Sequence, residues 1–220
     1  MIEDLGSTNG TFVAGRRIRR STLTSGDRLQ IGRECIFRFA VVDETEEELQ
    51  RRLYESSMRD PLTSLANRRC FVDRLATEVA HAQREDRTLG LLMIDIDDFK
   101  VINDSFGHAA GDHVLRAIAL RGAKLLRAGD VFARYGGDEL AVIARDANKG
   151  EAIALAERLR QAVADLRVEV GGGSVTFTVS IGVAARSEAR ENDPLALFSR
   201  ADARLRAAKV AGRNCVRSDD

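Results

Sequence analysis

The sequence predicts an α/β (α+β) protein, in which one central sheet is flanked by helices and preceded by a small all-β segment. Three observations indicate this class. Helical and strand patterns alternate from Asp60 onward, the stretches LGLLMIDI and ELAVIA are apolar enough to be buried strands, and residues 1–42 hold short β-like runs between glycine-rich turns. With 220 residues, 44% of them hydrophobic, the chain can form one domain of about 150 residues and a smaller segment.

Charge and hydropathy exclude several classes of partner. The 34 basic residues balance 34 acidic ones, which argues against a nucleic-acid partner or an acidic lipid surface. No apolar run is long enough to cross a membrane, so we expect a cytoplasmic protein. The three cysteines, Cys35, Cys70 and Cys215, are scattered, which argues against a zinc site or a disulfide framework.

The first 57 residues contain two predicted segments. The runs GTFVAG, DRLQIG and CIFRFAVV predict strands of a small β domain over residues 1–42. The charged run DETEEELQRRLYESS, with Leu49 and Leu53 on one helical face, predicts a connecting helix over residues 43–57. The remaining residues, 58–220, form the expected main domain.

The main domain is predicted from alternating periodicities. Helices are expected over 68–85, after Phe99, and over 112–127, 150–166 and 194–210. Strands are expected at LGLLMIDI, VFARY, ELAVIA and VTFTVSIGVAA. Gly136 and Gly137 join VFARY to ELAVIA, which predicts a tight two-residue hairpin with positive φ.

Acidic residues stand at the ends of two apolar strands. Asp138 and Glu139 follow the glycine pair, and Asp95 and Asp97 close LGLLMIDI. One interpretation is a polar turn with a solvated acid pair. The other is a shared cation, because a buried strand does not carry unpaired acids without cost. Mg²⁺ fits that second interpretation, since it takes carboxylate and phosphate oxygens, as in nucleotidyl-transfer sites.

Two features could bind the phosphates that such a cation accompanies. The N–H groups of Asp98, Phe99 and Lys100 begin a short helix and could receive an anion. Lys209 and Arg213 lie four residues apart at the end of the last helix. Alternatively, these two cations only compensate the helix dipole.

Five sequence blocks then resemble those of the GGDEF-domain diguanylate cyclases. RYGGDEL, residues 134–140, matches the signature loop except that Leu140 stands where the family usually has Phe. DPLTSLANR, DIDDFKVINDSFGHAAGD, TVSIGVA and KVAGRN follow the order of the family, so the resemblance covers about residues 58–217. It implies a palm-like nucleotide-cyclase sheet and the condensation of two GTP into cyclic di-GMP and two pyrophosphates. It also implies Mg²⁺ or Mn²⁺ as the cofactor and a homodimer for catalysis.

The resemblance carries roles to individual residues. Asp95, the carbonyl of Ile96, and Asp138 match metal ligands, and Glu139 matches an acid used either at the metal or in activating the 3′-hydroxyl. Asn103 and Asp112 match guanine-reading residues. The choice of guanine is chemically reasonable for Asp112, because a carboxylate accepts from both N1–H and N2–H₂ of guanine. The other substrate-binding positions implied are Asp98, Phe99, Lys100, His108, Gly136, Gly137, Lys209 and Arg213.

RAGD, residues 127–130, matches an R-x-x-D motif that binds the product and inhibits the enzyme. Arg127 and Asp130 would form this product-inhibition site, with Arg158 as a secondary contact made from a neighbouring domain. Arginine suits the task, because it stacks on guanine and forks onto phosphate. Alternatively, the four residues are only a helix end followed by a turn.

The N-terminal segment resembles the C-terminal half of a forkhead-associated (FHA) domain, a β-sandwich that recognises phosphothreonine. The resemblance rests on DLGSTNGTFVAGRRI and LTSGDRLQIG, in which Asn9 and Gly10 match the turn beside the peptide. A phosphothreonine protein is therefore the implied partner of a complete domain. Half a sandwich leaves an apolar face open unless another copy or partner covers it.

The sequence thus favours a regulated, metal-dependent diguanylate cyclase. The alternative is a catalytically silent receptor that binds GTP or cyclic di-GMP and signals through the FHA segment. A third interpretation, a phosphopeptide-binding adaptor, is weakened by the incomplete sandwich.

Overall fold

A computed structural model describes residues 1–32, 35–41, 49, 57–171, 173–186 and 192–219. The chain divides into two compact units, Met1–Ser56 and Ser57–Asp220. Only Leu49 and Ser57 of the predicted connecting helix are described, and both are helical; the rest of that segment lies outside the described residues. Within the described part of the chain, no helix is both long and apolar enough to cross a membrane.

The N-terminal unit is built from short antiparallel strands. Four of them form a sheet in the order β3-β2-β5-β6, and β1 pairs with β4. The strands are β1 (Ile2–Glu3), β2 (Thr11–Val13), β3 (Arg16–Ile18), β4 (Arg20–Ser21), β5 (Arg28–Ile31) and β6 (Cys35–Arg38).

One face of this sheet is apolar. Val13 pairs with Leu29, and Leu29 pairs with Phe37, so these side chains share a face. Phe37 is 52% exposed and Ile31 is 46% exposed. The strands therefore agree with the predicted partial FHA fold.

The second unit is an α/β domain, as predicted. Its helices are α1 (Arg68–Arg84), α2 (Phe99–Phe106), α3 (His108–Ala123), α4 (Lys149–Ala164) and α5 (Pro194–Val210). Its strands are β7 (Leu89–Ile96), β8 (Val131–Arg134), β9 (Glu139–Arg145), β10 (Val168–Val170), β11 (Gly173–Val175), β12 (Val179–Ala185) and β13 (Val216–Arg217).

The central sheet has the order β13-β12-β7-β9-β8. All its pairs are antiparallel except β12 with β13, which is parallel. Every residue of β7 is buried, because the strand lies in the middle of the sheet with helices on both faces. Leu92 and Ile94 pack with α3 and α4, whereas Leu91 and Met93 pack with α1 and α5. This alternation turns Asp95 towards the α1/α5 face.

Helix α5 packs unusually close to the sheet. A Cβ atom on Gly182 of β12 would lie 2.1 Å from the carbonyl oxygen of Ala201 and 2.2 Å from the amide nitrogen of Leu205. Only glycine permits this approach, which brings the middle of α5 against β12 opposite Met93 of β7.

Two predicted elements differ from those observed. The helix predicted over 112–127 begins at His108, directly after Gly107 (φ 82°), and ends at Ala123, so Arg127 lies in the following turn. The strand predicted at VTFTVSIGVAA is divided, with Val175 in β11 and Val179–Ala185 in β12. The short hairpin β10–β11 and the edge strand β13 were not predicted, because each has only two or three residues.

Candidate functional site

The two predicted acidic strand ends lie side by side. Asp95 of β7 pairs with Glu139 of β9, and the N–H of Ile96 donates to the carbonyl oxygen of Asp138 over 3.3 Å. Side chains of paired residues point to the same face, so Asp95 and Glu139 share the α1/α5 face of the sheet. Asp95 is 5% exposed, whereas Asp138 and Glu139 are half-buried.

Lys209 contacts the buried acid of this pair. Its Nζ lies 2.7 Å from Oδ2 of Asp95, and its side chain is 40% exposed. Burial raises the pKa of Asp95 from 3.8 to about 6; the Lys209 ammonium opposes this shift, while the charges of Asp138 and Glu139 add to it. Burial thus outweighs the ion pair in setting the pKa of Asp95.

Asp97 does not join the acid pair. Its Oδ1 accepts from the Ser180 hydroxyl over 2.6 Å, and its Oδ2 accepts from the Thr178 hydroxyl over 2.6 Å. The same Oδ2 accepts from the N–H of Asn214 over 3.0 Å. Asp97 is 7% exposed, so it is an internal anchor that ties the loop after α5 to the end of β7.

The signature loop is wider than predicted. Arg134 pairs with Leu140, and the N–H groups of Tyr135 and Gly136 both donate to the carbonyl oxygen of Glu139, over 2.9 and 3.1 Å. Gly136 and Gly137 are not among the residues with positive φ, so the prediction of a tight two-residue turn is wrong. A Cβ on Gly136 would lie 2.7 Å from Oε2 of Glu139, so a side chain there would displace the Glu139 carboxylate.

Arg134 holds this loop in place. Its Nε and Nη2 donate to the carbonyl oxygen of Gly137 over 3.1 and 2.8 Å, and its Nη1 lies 3.1 Å from Oδ2 of Asp60. Neither residue was singled out from the sequence, although both stand inside the quoted blocks RYGGDEL and DPLTSLANR. The sequence did contain a signal for Arg134, because a charged residue at the end of an apolar strand needs a partner of opposite charge.

A cleft of about 390 Å³ opens between helices α2 and α3 and the signature loop. It brings together most of the predicted nucleotide-binding residues. Its lining consists of Phe99, Lys100, Asn103, Asp104, His108, Asp112, Leu115, Arg134, Gly137 and Asp138. Helix α2 supplies one wall, and its first hydrogen bonds are made by Val101 and Ile102 to the carbonyl oxygen of Asp98, over 2.8 and 3.3 Å. The preceding N–H groups of Phe99 and Lys100 therefore have no acceptor within helix α2.

Arg213 and Lys209 approach the same strand end from α5. Nε of Arg213 lies 3.4 Å from Oδ1 of Asp98, and both residues have left-handed backbone conformations, with φ of 63° and 53°. The predicted cation pair thus contacts Asp95 near the end of β7 and Asp98 in the loop that follows it. Both cations therefore form ion pairs with acids outside helix α5.

The acids at the ends of β7 and β9 can bind a divalent cation only if a bound nucleotide supplies further oxygen ligands. Within the described ranges, no three His, Cys, Asp or Glu side chains converge into a metal site by themselves. Mg²⁺ is usually held by one or two carboxylates together with phosphates and water, so Asp95 and its acidic neighbours fit a site completed by a nucleotide. Asp138 and Glu139 adjoin Asp95 across the sheet, through the pairing of Asp95 with Glu139 and the bond from the N–H of Ile96 to the carbonyl oxygen of Asp138.

A second cleft, of about 130 Å³, contains the three residues of the predicted product site. Arg127, Asp130 and Arg158 line it together, within one chain. The two oxygens of Asp130 accept from the N–H groups of Arg127 and Arg145 over 2.9 and 3.2 Å. Arg158 donates to the carbonyl oxygen of Leu125 over 3.2 Å. Arg158, which we expected to contact a product from a neighbouring domain, thus lines the same cleft as Arg127 within one chain.

Comparisons with known proteins agree with this geometry. Residues 57–215 match the family described as diguanylate cyclase, GGDEF domain, and residues 1–32 match the FHA domain. The chain is 42% identical over 163 residues to the response regulator PleD of Caulobacter vibrioides, which covers 74% of this chain and 36% of that protein. It is 34% identical over 218 residues to the diguanylate cyclase DosC of Escherichia coli, covering 98% of this chain and 46% of that protein. The chain therefore spans less than half the length of these relatives.

Solved structures show the same fold. The coiled coil and GGDEF domain of DgcB from Caulobacter crescentus, in complex with c-di-GMP, has a TM-score of 0.75 at 32% identity, covering 80% of this chain and 93% of that one. The diguanylate cyclase SiaD of Pseudomonas aeruginosa, in complex with its activator SiaC, has a TM-score of 0.72 at 36% identity, covering 80% of this chain and 67% of that one. By its sequence match over residues 57–215 and by its fold, the chain belongs to the family of GGDEF-domain diguanylate cyclases.

Proposed function

We propose that the chain condenses two GTP into cyclic di-GMP and two pyrophosphates, with Mg²⁺ or Mn²⁺, through a dimer of its GGDEF domains. The observation that carries the proposal is that Asp138, which adjoins the Glu139 partner of Asp95, lines one cleft with Asn103 and Asp112. It combines acids suited to a metal with side chains suited to a guanine base in one place.

Asp95, Asp138 and the carbonyl of Ile96 would hold the metal, with Glu139 either as a further ligand or as the group that activates the 3′-hydroxyl. The metal would neutralise the phosphate charge that develops as pyrophosphate leaves. Asp95 must be ionised for this, and the nearby ammonium of Lys209 favours its charged form.

Asn103 and Asp112 would select guanine. A carboxylate at Asp112 can accept from N1–H and N2–H₂ of guanine, a donor pair that adenine lacks. Phe99 and His108 line the same cleft, and Gly137 belongs to its wall at the signature loop.

The phosphates of GTP would lie towards the N-terminus of α2. There the leftover amides of Phe99 and Lys100, after Asp98, are suited to an anion. Lys209 and Arg213 would add positive charge from α5, at the strand end where they contact Asp95 and Asp98. Gly136 leaves the room that the Glu139 carboxylate needs above the loop.

Catalysis would need two chains. Each domain binds one GTP and offers its 3′-hydroxyl to the α-phosphate held by the other, so that each α-phosphate forms a new ester bond as pyrophosphate departs. A single domain supplies one nucleotide site and cannot close the product ring.

The cleft of Arg127, Asp130 and Arg158 would bind cyclic di-GMP and inhibit the enzyme. It lies at the start of β8, whereas the signature loop follows the other end of that strand. Product at this cleft would therefore act on how two domains meet rather than by filling the GTP cleft.

We divide the chain into an FHA segment over 1–42, a connecting helix over 43–57 and the cyclase domain over 58–220. A phosphothreonine protein is the partner that a complete FHA domain would bind. Phosphorylation of that partner would then be the signal passed to the cyclase.

The proposal is tested by incubating the chain with GTP and MgCl₂ and separating the nucleotides by chromatography. We expect cyclic di-GMP and pyrophosphate, with no product when EDTA is present. Tight binding of GTP without turnover, at chain concentrations that form dimers, would instead support the silent receptor.

A further inference from the structure

We propose that Arg145 is a fourth ligand-binding side chain of the cleft formed by Arg127, Asp130 and Arg158, and that the buried carboxylate of Glu78 orients it. The inference rests on the proposed function of this cleft as the site of cyclic di-GMP. It adds a residue that neither the signature blocks nor the R-x-x-D spacing contains.

Arg145 lies against the R-x-x-D turn. It is the last residue of β9 and lines the 130 Å³ cleft together with Arg127, Asp130 and Arg158. Its N–H donates to Oδ1 of Asp130 over 3.2 Å. Its Nη1 lies 3.7 Å from the position of a Cβ atom on Gly129, the third residue of the turn.

Glu78 determines the direction of the Arg145 guanidinium. The Glu78 side chain is 6% exposed, and its Oε2 lies 2.9 Å from Nε of Arg145. Its Oε1 lies 3.2 Å from Nη2 of Arg74 on the same helix. A buried carboxylate requires such partners, so the Nε edge of Arg145 is held by α1 while Nη1 lies towards the turn.

The charge balance of the cleft favours an anionic ligand only when Arg145 is included. The residues that line the cleft include three arginines, Arg127, Arg145 and Arg158, and two acids, Asp130 and Glu151. Without Arg145 the charges cancel. Cyclic di-GMP carries a negative charge on each of its two phosphodiesters and offers O6 and N7 of guanine, both of which arginine binds in a forked geometry.

The competing explanation is that Arg145 only neutralises Glu78. Arg74 provides the matched control, because it pairs with the same carboxylate, is 47% exposed on α1 and is not part of the cleft lining. Loss of Arg74 removes one partner of Glu78 and leaves the cleft as it is. Arg145→Lys further separates neutralisation of Glu78 from ligand binding. Lysine retains the positive charge beside Glu78 but lacks the forked guanidinium that would bind the ligand.

The experiment is calorimetric titration of cyclic di-GMP into the parent chain and the variants Arg145→Gln, Arg145→Lys, Arg74→Gln and Arg127→Ala. Circular dichroism first confirms that each is folded. We expect Arg145→Gln to raise the dissociation constant about tenfold, the loss typical of one charge-assisted hydrogen bond. Arg145→Lys should lie between that variant and the parent, Arg74→Gln should stay within about twofold of the parent, and Arg127→Ala should show the largest loss.

Two results would overturn the role of Arg145 and still leave the assignment of the cleft to cyclic di-GMP intact. One is an Arg145→Gln or Arg145→Lys chain that binds like the parent when Arg127→Ala does not. The other is an equal loss in Arg74→Gln and Arg145→Gln, which would assign the effect to Glu78. If Arg127→Ala also binds like the parent, the assignment of the cleft to cyclic di-GMP fails as well.

Discussion

Lys209 and Asp95 form an ion pair between the C-terminal end of α5 and the end of the central strand β7, with Nζ of Lys209 2.7 Å from Oδ2 of Asp95. The pKa of Asp95 is nevertheless raised to about 6, because burial outweighs the ammonium. In the absence of metal the acid is therefore a source of instability at neutral pH, although it stands where the proposed reaction needs a charged ligand.

A stability measurement tests this balance. A carboxyl whose pKa is higher in the folded than in the unfolded chain contributes stability that is fully present below about pH 4 and is lost as pH rises through about 6. Asp95→Asn should therefore be more stable than the parent by roughly 1–3 kcal/mol at pH 8 in EDTA, with little gain at pH 4. Urea unfolding at both pH values provides the comparison. A less stable variant at pH 8 would mean that the Lys209 pair outweighs burial.

Asp97→Asn should weaken the attachment of the loop after α5, which carries Arg213, to the end of β7. The carboxylate accepts from Thr178, Ser180 and the N–H of Asn214, and an amide cannot accept all three bonds through its single oxygen. We expect a loss of about 1–3 kcal/mol in stability and a larger change in KM for GTP than in kcat, because Asn214 adjoins Arg213. Asp86→Asn, in an exposed loop, is the control and should match the parent in both assays. Unchanged KM in the Asp97 variant would limit this residue to a structural role.

Asp138→Ala and Glu139→Ala should each abolish synthesis and leave the fold intact. Both residues are half-buried at the signature loop, whereas the next residue, Leu140, is fully buried. Product formation by chromatography and melting by circular dichroism report the two properties separately. Near-normal turnover in either variant would remove that acid from the metal site.

Asp112→Ser should reduce the preference for GTP over ATP. It removes the acceptor for two base donors, which corresponds to about 1–3 kcal/mol, or roughly 5- to 150-fold in selectivity. Asp104→Ser is the matched control, because Asp104 lines the same cleft from α2 and has no proposed contact with the base. Equal selectivity in the parent and in Asp112→Ser would show that the base is read elsewhere.

Arg127→Ala should weaken product inhibition. The change removes a guanidinium from the 130 Å³ cleft without altering Asp95, Asp138 or the 390 Å³ cleft. The quantity to measure is the cyclic di-GMP concentration that halves the initial rate, which should rise at least about tenfold. If it stays at the parent value, the R-x-x-D residues are only a turn after α3.

Local patterns were sufficient to identify most helices and strands of the second unit. The helix predicted over 194–210 has those bounds in the structure, and β7 is the predicted LGLLMIDI, because long runs with a single period have no competing arrangement. The sequence also determined the family, since five blocks in order are specific even when each block alone is weak.

Only the tertiary structure decided how the acids divide their tasks. Asp95 and Asp97 look equivalent in sequence, yet Asp95 pairs with Glu139, while Asp97 is bonded to Ser180, Thr178 and Asn214 more than eighty residues away. The same holds for the Glu78–Arg145 pair and for the width of the signature loop. Local periodicity predicts which residues are buried, but hydrogen bonds between distant segments depend on strand register and helix packing, which short-range sequence patterns do not encode.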